Sequence, residues 1–388
     1  MVCGFKYLRL VGSWLQALHD VGTERDRAGN RQLFYDQYAT LVLLYFFTPP
    51  VTSLRGVQQL STLAKVQQRW GVRRTALGTL SEAAPVFDAA LLQDVISELA
   101  LRAWTQAPQG KPGLGERETA LLRDLVAIDG SLLPALPRMV WAVWQDERHR
   151  AAKMHLAFAA LRQVPVGVPV TAGNSSERTQ TRQLVQPGGF YVCDRGYVDY
   201  ELFAEWHALP CSFIVRVQNN AAYEVAQERT LSVADRAAGV TRDAVLQRLG
   251  TPHHRPCAAQ PLRVVRVTTD KRHPDGTPVE LVLVTNRLDL DADLIAVAYR
   301  YRWTVELFFR WFKCILGCRH LLSHSENGVQ LQVYMALIAS LLISLWVGRA
   351  PTKRTYELLC FYLSGWASTV EVIAHVKRLH LTAPPGKK

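Results

Sequence analysis

The sequence has 388 residues, 49% of them apolar, with 45 Lys and Arg against 33 Asp and Glu and a formal net charge of +12. That length allows two or three domains, the apolar share excludes wholesale disorder, and the positive balance suits a polyanion such as DNA, RNA or an anionic membrane surface. Seven cysteines, an odd count in a long chain, argue against a secreted disulfide framework and for a reducing cytoplasm.

The N-terminus carries Lys6 and Arg9, but the segment after them is broken by Gln16 and His19, so no signal peptide is expected. Residues 32–104 read as helical, with three- and four-residue apolar spacing in Tyr38–Phe47 and Leu91–Leu101. The Pro/Gly-rich stretch Ala107–Gly115 reads as a linker. Short apolar runs then predict strands at Leu125–Ile128, Lys153–Ala160, Val164–Val170, Phe190–Cys193 and Phe213–Val217. A separate β-rich segment follows, with strands at Leu262–Thr268 and Val279–Thr285 around the turn His273-Pro274-Asp275-Gly276, and a short helix over Arg242–Leu249. A helix is expected from Asp293 through Leu316, and two more at Val329–Val347 and Tyr356–Arg378. The apolar run Val333–Val347 is short for a membrane span and is broken by Ser340 and Ser344, which predicts a buried core helix and no membrane partner.

Asp129 closes the first predicted strand and Asp194 the fourth, each leading into a turn, Gly130-Ser131 and Arg195-Gly196-Tyr197. Either alone is accounted for as a turn former or helix cap. Two on separate strands suit phosphodiester chemistry, which needs hard oxygen ligands for Mg²⁺ or Mn²⁺ from neighbouring elements. On the helix beyond, Tyr299, Arg302, Glu306 and Lys313 fall within an arc of roughly 60° at 100° per residue. Arg310 flanks that arc, and Val305, Leu307, Phe308, Trp311 and Phe312 cover the rest. An apolar helix with one charged stripe should be buried with the stripe facing a cleft or ligand, and three cations beside one carboxylate suit phosphates. The competing account is a solvated Arg302–Glu306–Arg310 ion-pair ladder, which predicts polar neighbours instead of aromatic ones.

The Tyr-x2-Arg-x3-Glu-x6-Lys pattern, after a strand-end Asp-Gly-Ser and a later Asp-Arg-Gly-Tyr, resembles the catalytic core of IS4-family insertion-sequence transposases of the DDE type. Ser53-Leu54-Arg55, Lys153, His155 and Ser325-Glu326-Asn327-Gly328 also fit that family. The resemblance implies an α/β protein with an RNase H-like core and a β-rich insertion, preceded by a helical N-terminal domain. The corresponding boundaries are 1–106 for the helical DNA-binding domain, 107–118 for the linker, 119–217 for the first part of the core, 218–289 for the insertion and 290–388 for the second part. It further implies Asp129, Asp194 and Glu306 as catalytic ligands of two Mg²⁺ ions, for which Mn²⁺ substitutes. Tyr299, Arg302, Arg310, Lys313 and Arg195 become contacts to double-stranded DNA. The implied activity is cleavage at terminal repeats and joining of 3′-hydroxyls to target DNA, by a homodimer when two ends are synapsed, in the cytoplasm at the nucleoid. The alternatives are another RNase H-like metal-dependent nuclease and a catalytically inactive, transposase-derived DNA-binding protein.

Residues 218–289 contain no Trp, whereas some members of that family stack a flipped base on one there. Tyr223 offers an aromatic face, with a place in the β-core as its other account. Ser53–Ala84 has room for a helix-turn-helix that would bring Arg69, Arg73, Arg74 and Thr75 near DNA, and also reads as an ordinary helical bundle. Cys314, Cys318, His320 and His324 superficially resemble a zinc set, but they are crowded into one short segment, which favours packing roles. The pair His253-His254 reads as loop surface.

Overall fold

A computed structural model describes residues 4–21, 26, 27, 29–107, 110, 113–136, 138–144, 149–251 and 261–381. The N-terminal third is helical, as its spacing predicts: α1 (Gly4–Ala17), α2 (Tyr35–Phe46), α3 (Leu54–Thr62), α4 (Ala64–Trp70), α5 (Leu77–Val86) and α6 (Leu92–Gln106). Ser53 caps α3 by accepting a hydrogen bond from the Gly56 N–H at 3.3 Å. Gly71, at φ +68°, ends α4 in the left-handed conformation that favours glycine. Residues 108, 109, 111 and 112 of the expected linker lie outside the described residues, and its end is already helical in α7 (Glu116–Leu122).

The strands are β1 (Leu125–Ala135), β2 (Arg150–Ala159), β3 (Val164–Gly167), β4 (Val170–Ala172), β5 (Phe190–Cys193) and β6 (Ser212–Val217), with α8 (Glu177–Leu184) and α9 (Tyr200–Ala208) around β5. Then come β7 (Tyr223–Glu228), α10 (Val233–Ala237), β8 (Val240–Leu249), β9 (Leu262–Arg272) and β10 (Pro278–Thr285). They form one sheet in the order β3-β2-β1-β5-β6-β10-β9-β8-β7, with β4 beside β2. β1 runs antiparallel to β2 and parallel to β5, and β5 parallel to β6. The β-rich segment does not stand apart from this sheet: β10 pairs antiparallel with β6 and extends it.

Three local expectations are corrected. Arg242–Leu249 belongs to strand β8 and not to a helix, because Ala244, Leu246 and Leu249 pack on the sheet's core and Asp243 is buried by an arginine partner on β9. Asp129 does not end a strand, since β1 continues to Ala135 along β2 after its pairing with β5 has stopped. The run Val164–Val170 is split between β3 and β4.

The last part is helical: α11 (Ala292–Tyr301), α12 (Trp303–Arg310), a π-helical turn at Trp311–Ile315, α13 (Glu326–Val347), α14 (Lys353–Ser364) and α15 (Thr369–Leu381). The single helix expected from Asp293 to Leu316 is therefore divided at Arg302. The one expected from Tyr356 to Arg378 is broken at Gly365, whose φ of +84° stops α14. α13 is long and apolar enough to cross a membrane, yet 89% of its most apolar stretch is buried inside the fold.

One face of the sheet meets α11, α12, α13 and the N-terminal helices in a single core that joins Leu41 and Leu99 to Ile295 and Leu331. The other face packs Ile128, Cys193, Val215 and Val282 against Leu202, Phe203 and Trp206 of α9. Asn327 ties the two parts of the first core together. Its amide donates to the carbonyls of Ala84 and Phe87 at 2.7 and 2.6 Å and accepts from the Ala89 N–H at 3.2 Å.

Candidate active site

Strand alternation decides where the two aspartates point. Ile128 and Cys193 are register partners on the parallel strands β1 and β5 and bury together against α9. The next residue on each strand must face the opposite side. Asp129 and Asp194 therefore emerge together, from strands roughly 4.8 Å apart, toward α11 and α12. Each carboxylate also accepts from a neighbouring backbone N–H, Asp129 from Gly130 and Asp194 from Arg195, both at 2.8 Å.

The striped helix reaches both. Tyr299 Oη donates to Asp194 Oδ1 at 3.2 Å, and Arg216 Nη1 on β6 lies 3.9 Å from the same oxygen. Arg302 divides its guanidinium, donating from Nη2 to Glu306 Oε1 at 2.7 Å and from Nη1 to Asp129 Oδ2 at 3.4 Å. Lys313 Nζ donates to Ser131 Oγ at 2.8 Å, two residues beyond Asp129 on the same side of β1. Tyr299 and Arg302 are buried while Glu306 and Lys313 are half-buried, beside the buried aromatics Phe308, Trp311 and Phe312, although Leu307 is exposed. Of the Arg302–Glu306–Arg310 ladder, the Arg302–Glu306 pair is formed, while Arg310 is exposed and Arg302 also reaches Asp129.

Burial is the largest influence on Asp129, pushing its carboxyl up to about 6, while Arg302 and the Gly130 N–H pull it down and Glu306 and Glu177 add to the rise. Arg302 is itself opposed by burial, yet Tyr299, Glu306, Asp194 and Asp129 outweigh that and hold its pKa above the ordinary value. Burial and then Asp194 raise the Tyr299 phenol, which stays protonated as a donor. The donor chemistry suits a hard divalent cation: three half-buried carboxylates from three elements, Asp129 held above its ordinary pKa. Among the described residues no three acidic, His or Cys side chains are gathered closely enough to hold an ion as they stand. The Arg302 guanidinium is the cation that contacts both Asp129 and Glu306.

Residues 121–342 match the transposase DDE domain family, a span from α7 to α13 that contains every residue of this constellation. The chain belongs to that family. Similar to this DDE-domain chain are a putative transposase, y4zB, of Sinorhizobium fredii (28% identical, covering 56% of this chain and 59% of the relative) and a probable transposase for insertion sequence element IS5377 of Geobacillus stearothermophilus (30%, 58% and 56%). A putative transposase for insertion sequence element IS4SA of Synechocystis is 20% identical over 58% of this chain and 60% of its own length. The chain thus spans between 56% and 60% of the length of these relatives.

Around the DDE-domain site, the other sequence candidates are dispersed. Arg195 and Arg310 are exposed near its rim. Arg73 and Arg74 are exposed on the connection between α4 and α5, in the N-terminal helical region. Thr75 is buried, and its N–H donates to Ser61 Oγ at 3.0 Å, so it supports the helices instead of facing DNA. Tyr223 has Arg242 and Arg266 against its ring and donating to its hydroxyl, at 3.3 Å from Arg242 Nη1 and 2.9 Å from Arg266 Nη2. Cys314 is exposed whereas Cys318 is fully buried. His155 is buried and its Nε2 lies 2.9 Å from Thr171 Oγ1, a packing role. His253 and His254 lie outside the described residues.

Two residues escaped sequence reasoning. Arg216 had a signal: it is the one charged residue in the otherwise apolar end of β6, one strand over from Asp194. Glu177 had none, since an acid in the first turn of a helix is commonplace.

Proposed function

We propose that the protein is an IS4-type DDE transposase that binds the double-stranded terminal repeats of an insertion sequence, cleaves at its ends and joins the freed 3′-hydroxyls to target DNA. The observation that carries this reading is the emergence of Asp129 and Asp194 from adjacent parallel strands toward the helix that bears Glu306. An RNase H-like core is supported by the run β3-β2-β1-β5-β6, antiparallel through β1 and parallel from β1 to β6. In this reading the core is 119–217 with 290–388, strands from 218–289 form the insertion, and the helices of 1–106 contribute Arg73 and Arg74 to end binding.

Asp129, Asp194 and Glu306 would hold two Mg²⁺ ions, replaceable by Mn²⁺. When bound, these ions activate water or a 3′-hydroxyl and stabilise charge at the phosphorus. The chain's own side chains do the rest. Tyr299 fixes the rotamer of Asp194 by its hydrogen bond. Arg302, already raised in pKa and buried, offers a fork that grips a phosphate with two hydrogen bonds while still steering Glu306. Lys313, Arg310 and Arg195 add point charges along the DNA path. Two such chains, one per end, would form the synaptic homodimer at the nucleoid.

The test is a joining assay with a pre-cut end and Mg²⁺. A transposase gives joined products, a plain nuclease only hydrolyses, and an inactive DNA-binding protein does neither; only the first outcome sustains the proposal.

A further inference from the structure

The ladder between β1 and β5 stops at Ile128 opposite Cys193, one residue before the aspartates. Beyond that point β1 continues along β2, while the chain after Cys193 turns away through Arg195–Tyr197. No backbone ladder then holds Asp194 beside Asp129. A side chain spans the gap from the opposite side of the sheet. Gly130, next to Asp129, faces away from it. A Cβ there would lie 2.9 Å from Glu177 Oε1 and 3.0 Å from Lys153 Cε, and a Cβ at Gly196 would lie 2.9 Å from Glu177 Oε2. One carboxylate thus presses an oxygen against each aspartate-bearing turn. Neither glycine has a positive φ, and what a Cβ would meet at both places is the end of the Glu177 side chain, joined at Gly130 by that of Lys153.

Glu177 is itself held. Lys153 Nζ on β2 pairs with Oε1 at 2.8 Å, with the two side chains 14% and 26% exposed in that order. Further along α8, Arg182 is fixed to Glu205 of α9 by hydrogen bonds of 2.6 and 2.9 Å. Lys153 also offsets a negative charge that would otherwise add to those of Asp129 and Asp194. We infer that Glu177, clamped by Lys153, is a positioning residue that sets the separation of the two aspartates where the sheet no longer does. This rests on the reading of those aspartates as cation ligands.

The test uses the full chain with Mn²⁺ as the sole probe, alongside amide hydrogen exchange over residues 129–131 and 194–197. Glu177→Ala and Lys153→Met should each weaken Mn²⁺ binding about tenfold, the low end for groups that orient a metal ligand. The double variant should lose no more than the worse single one, and melting temperatures should stay within a few degrees. Sign separates this from simple electrostatics. Removing a lysine charge beside a cation site strengthens cation binding unless the lysine holds the site in shape, so equal or tighter binding by Lys153→Met overturns the inference. Exchange at both turns should rise in both variants, and unchanged exchange also overturns it. If the unaltered protein binds no Mn²⁺, the cation-ligand reading fails, while exchange still decides whether Glu177 positions the turns.

Discussion

An arginine–carboxylate cluster in the extension of the sheet and the one at the candidate site are built differently, the first buried and the second half-buried. In the extension of the sheet, Arg263 grips Asp243 with two hydrogen bonds of 2.6 and 2.7 Å, and its remaining nitrogen donates to the carbonyls of Leu290 and Arg287. Both side chains are almost wholly buried, at 1% and 4% exposure, and every nitrogen of that guanidinium has an acceptor. At the candidate site Arg302 is shared between two carboxylates on different elements, the longer contact is 3.4 Å, and its Nε has no partner. The first cluster is closed and fastens strands together. The second divides one guanidinium between two carboxylates and leaves the Asp129 carboxyl held above its ordinary pKa.

The sharpest way to break this contrast is Glu306→Ala, which should abolish cleavage and joining while end-DNA affinity stays unchanged or rises slightly, as read by gel assays and titration. Persisting activity would reduce the stripe to an ion-pair network. Next is Arg263→Ala, which strands Asp243 in the core and should cost about 3–5 kcal/mol of stability. Arg302→Ala should cost only roughly 1–2 kcal/mol, because Asp129 can take up a proton. Equal losses by chemical denaturation would erase the distinction between closed and open clusters.

A third test comes from the raised carboxyl. Asp129 has its folded value pushed above the ordinary 3.8 to about 6, so its favourable contribution is full below the unfolded value and is lost as pH rises through about 6. In the presence of chelator, Asp129→Asn should therefore gain on the order of 2 kcal/mol over the unaltered protein between about pH 4 and pH 7. No pH-dependent gain would mean that the carboxylate is better compensated than its surroundings suggest. The smallest effect belongs to Lys313→Ala, which should weaken DNA binding and lower the slope of log affinity against log salt by about 1, the share of one phosphate contact.

Periodicity carried the helices and most strands, because burial on one face writes itself into local order. It failed at β8, where Asp243 interrupts the apolar alternation and is buried only because Arg263, a residue of another strand, neutralises it. It misplaced the end of β1, since Leu125–Ile128 is buried by both neighbours but Asp129–Ala135 only follows β2. The three acids and the striped helix were legible because charge against an aromatic background is a local signal. Glu177 was not, because its meaning lies in two glycines that are distant in sequence and a lysine on another strand.

The order of strands also sets an order in time. Glu306 follows β10, which pairs with β6 on one side and β9 on the other, after a run of chain that includes β7, β8 and β9. Asp129 and Asp194 can come together from β1 and β5 alone, and both of those strands precede β10 and Glu306 in the chain. A chain still emerging from its synthesis would hold two of the three acids side by side without the third. The third arrives only when the whole sheet has been laid down, so the proposed site is complete only when the fold is.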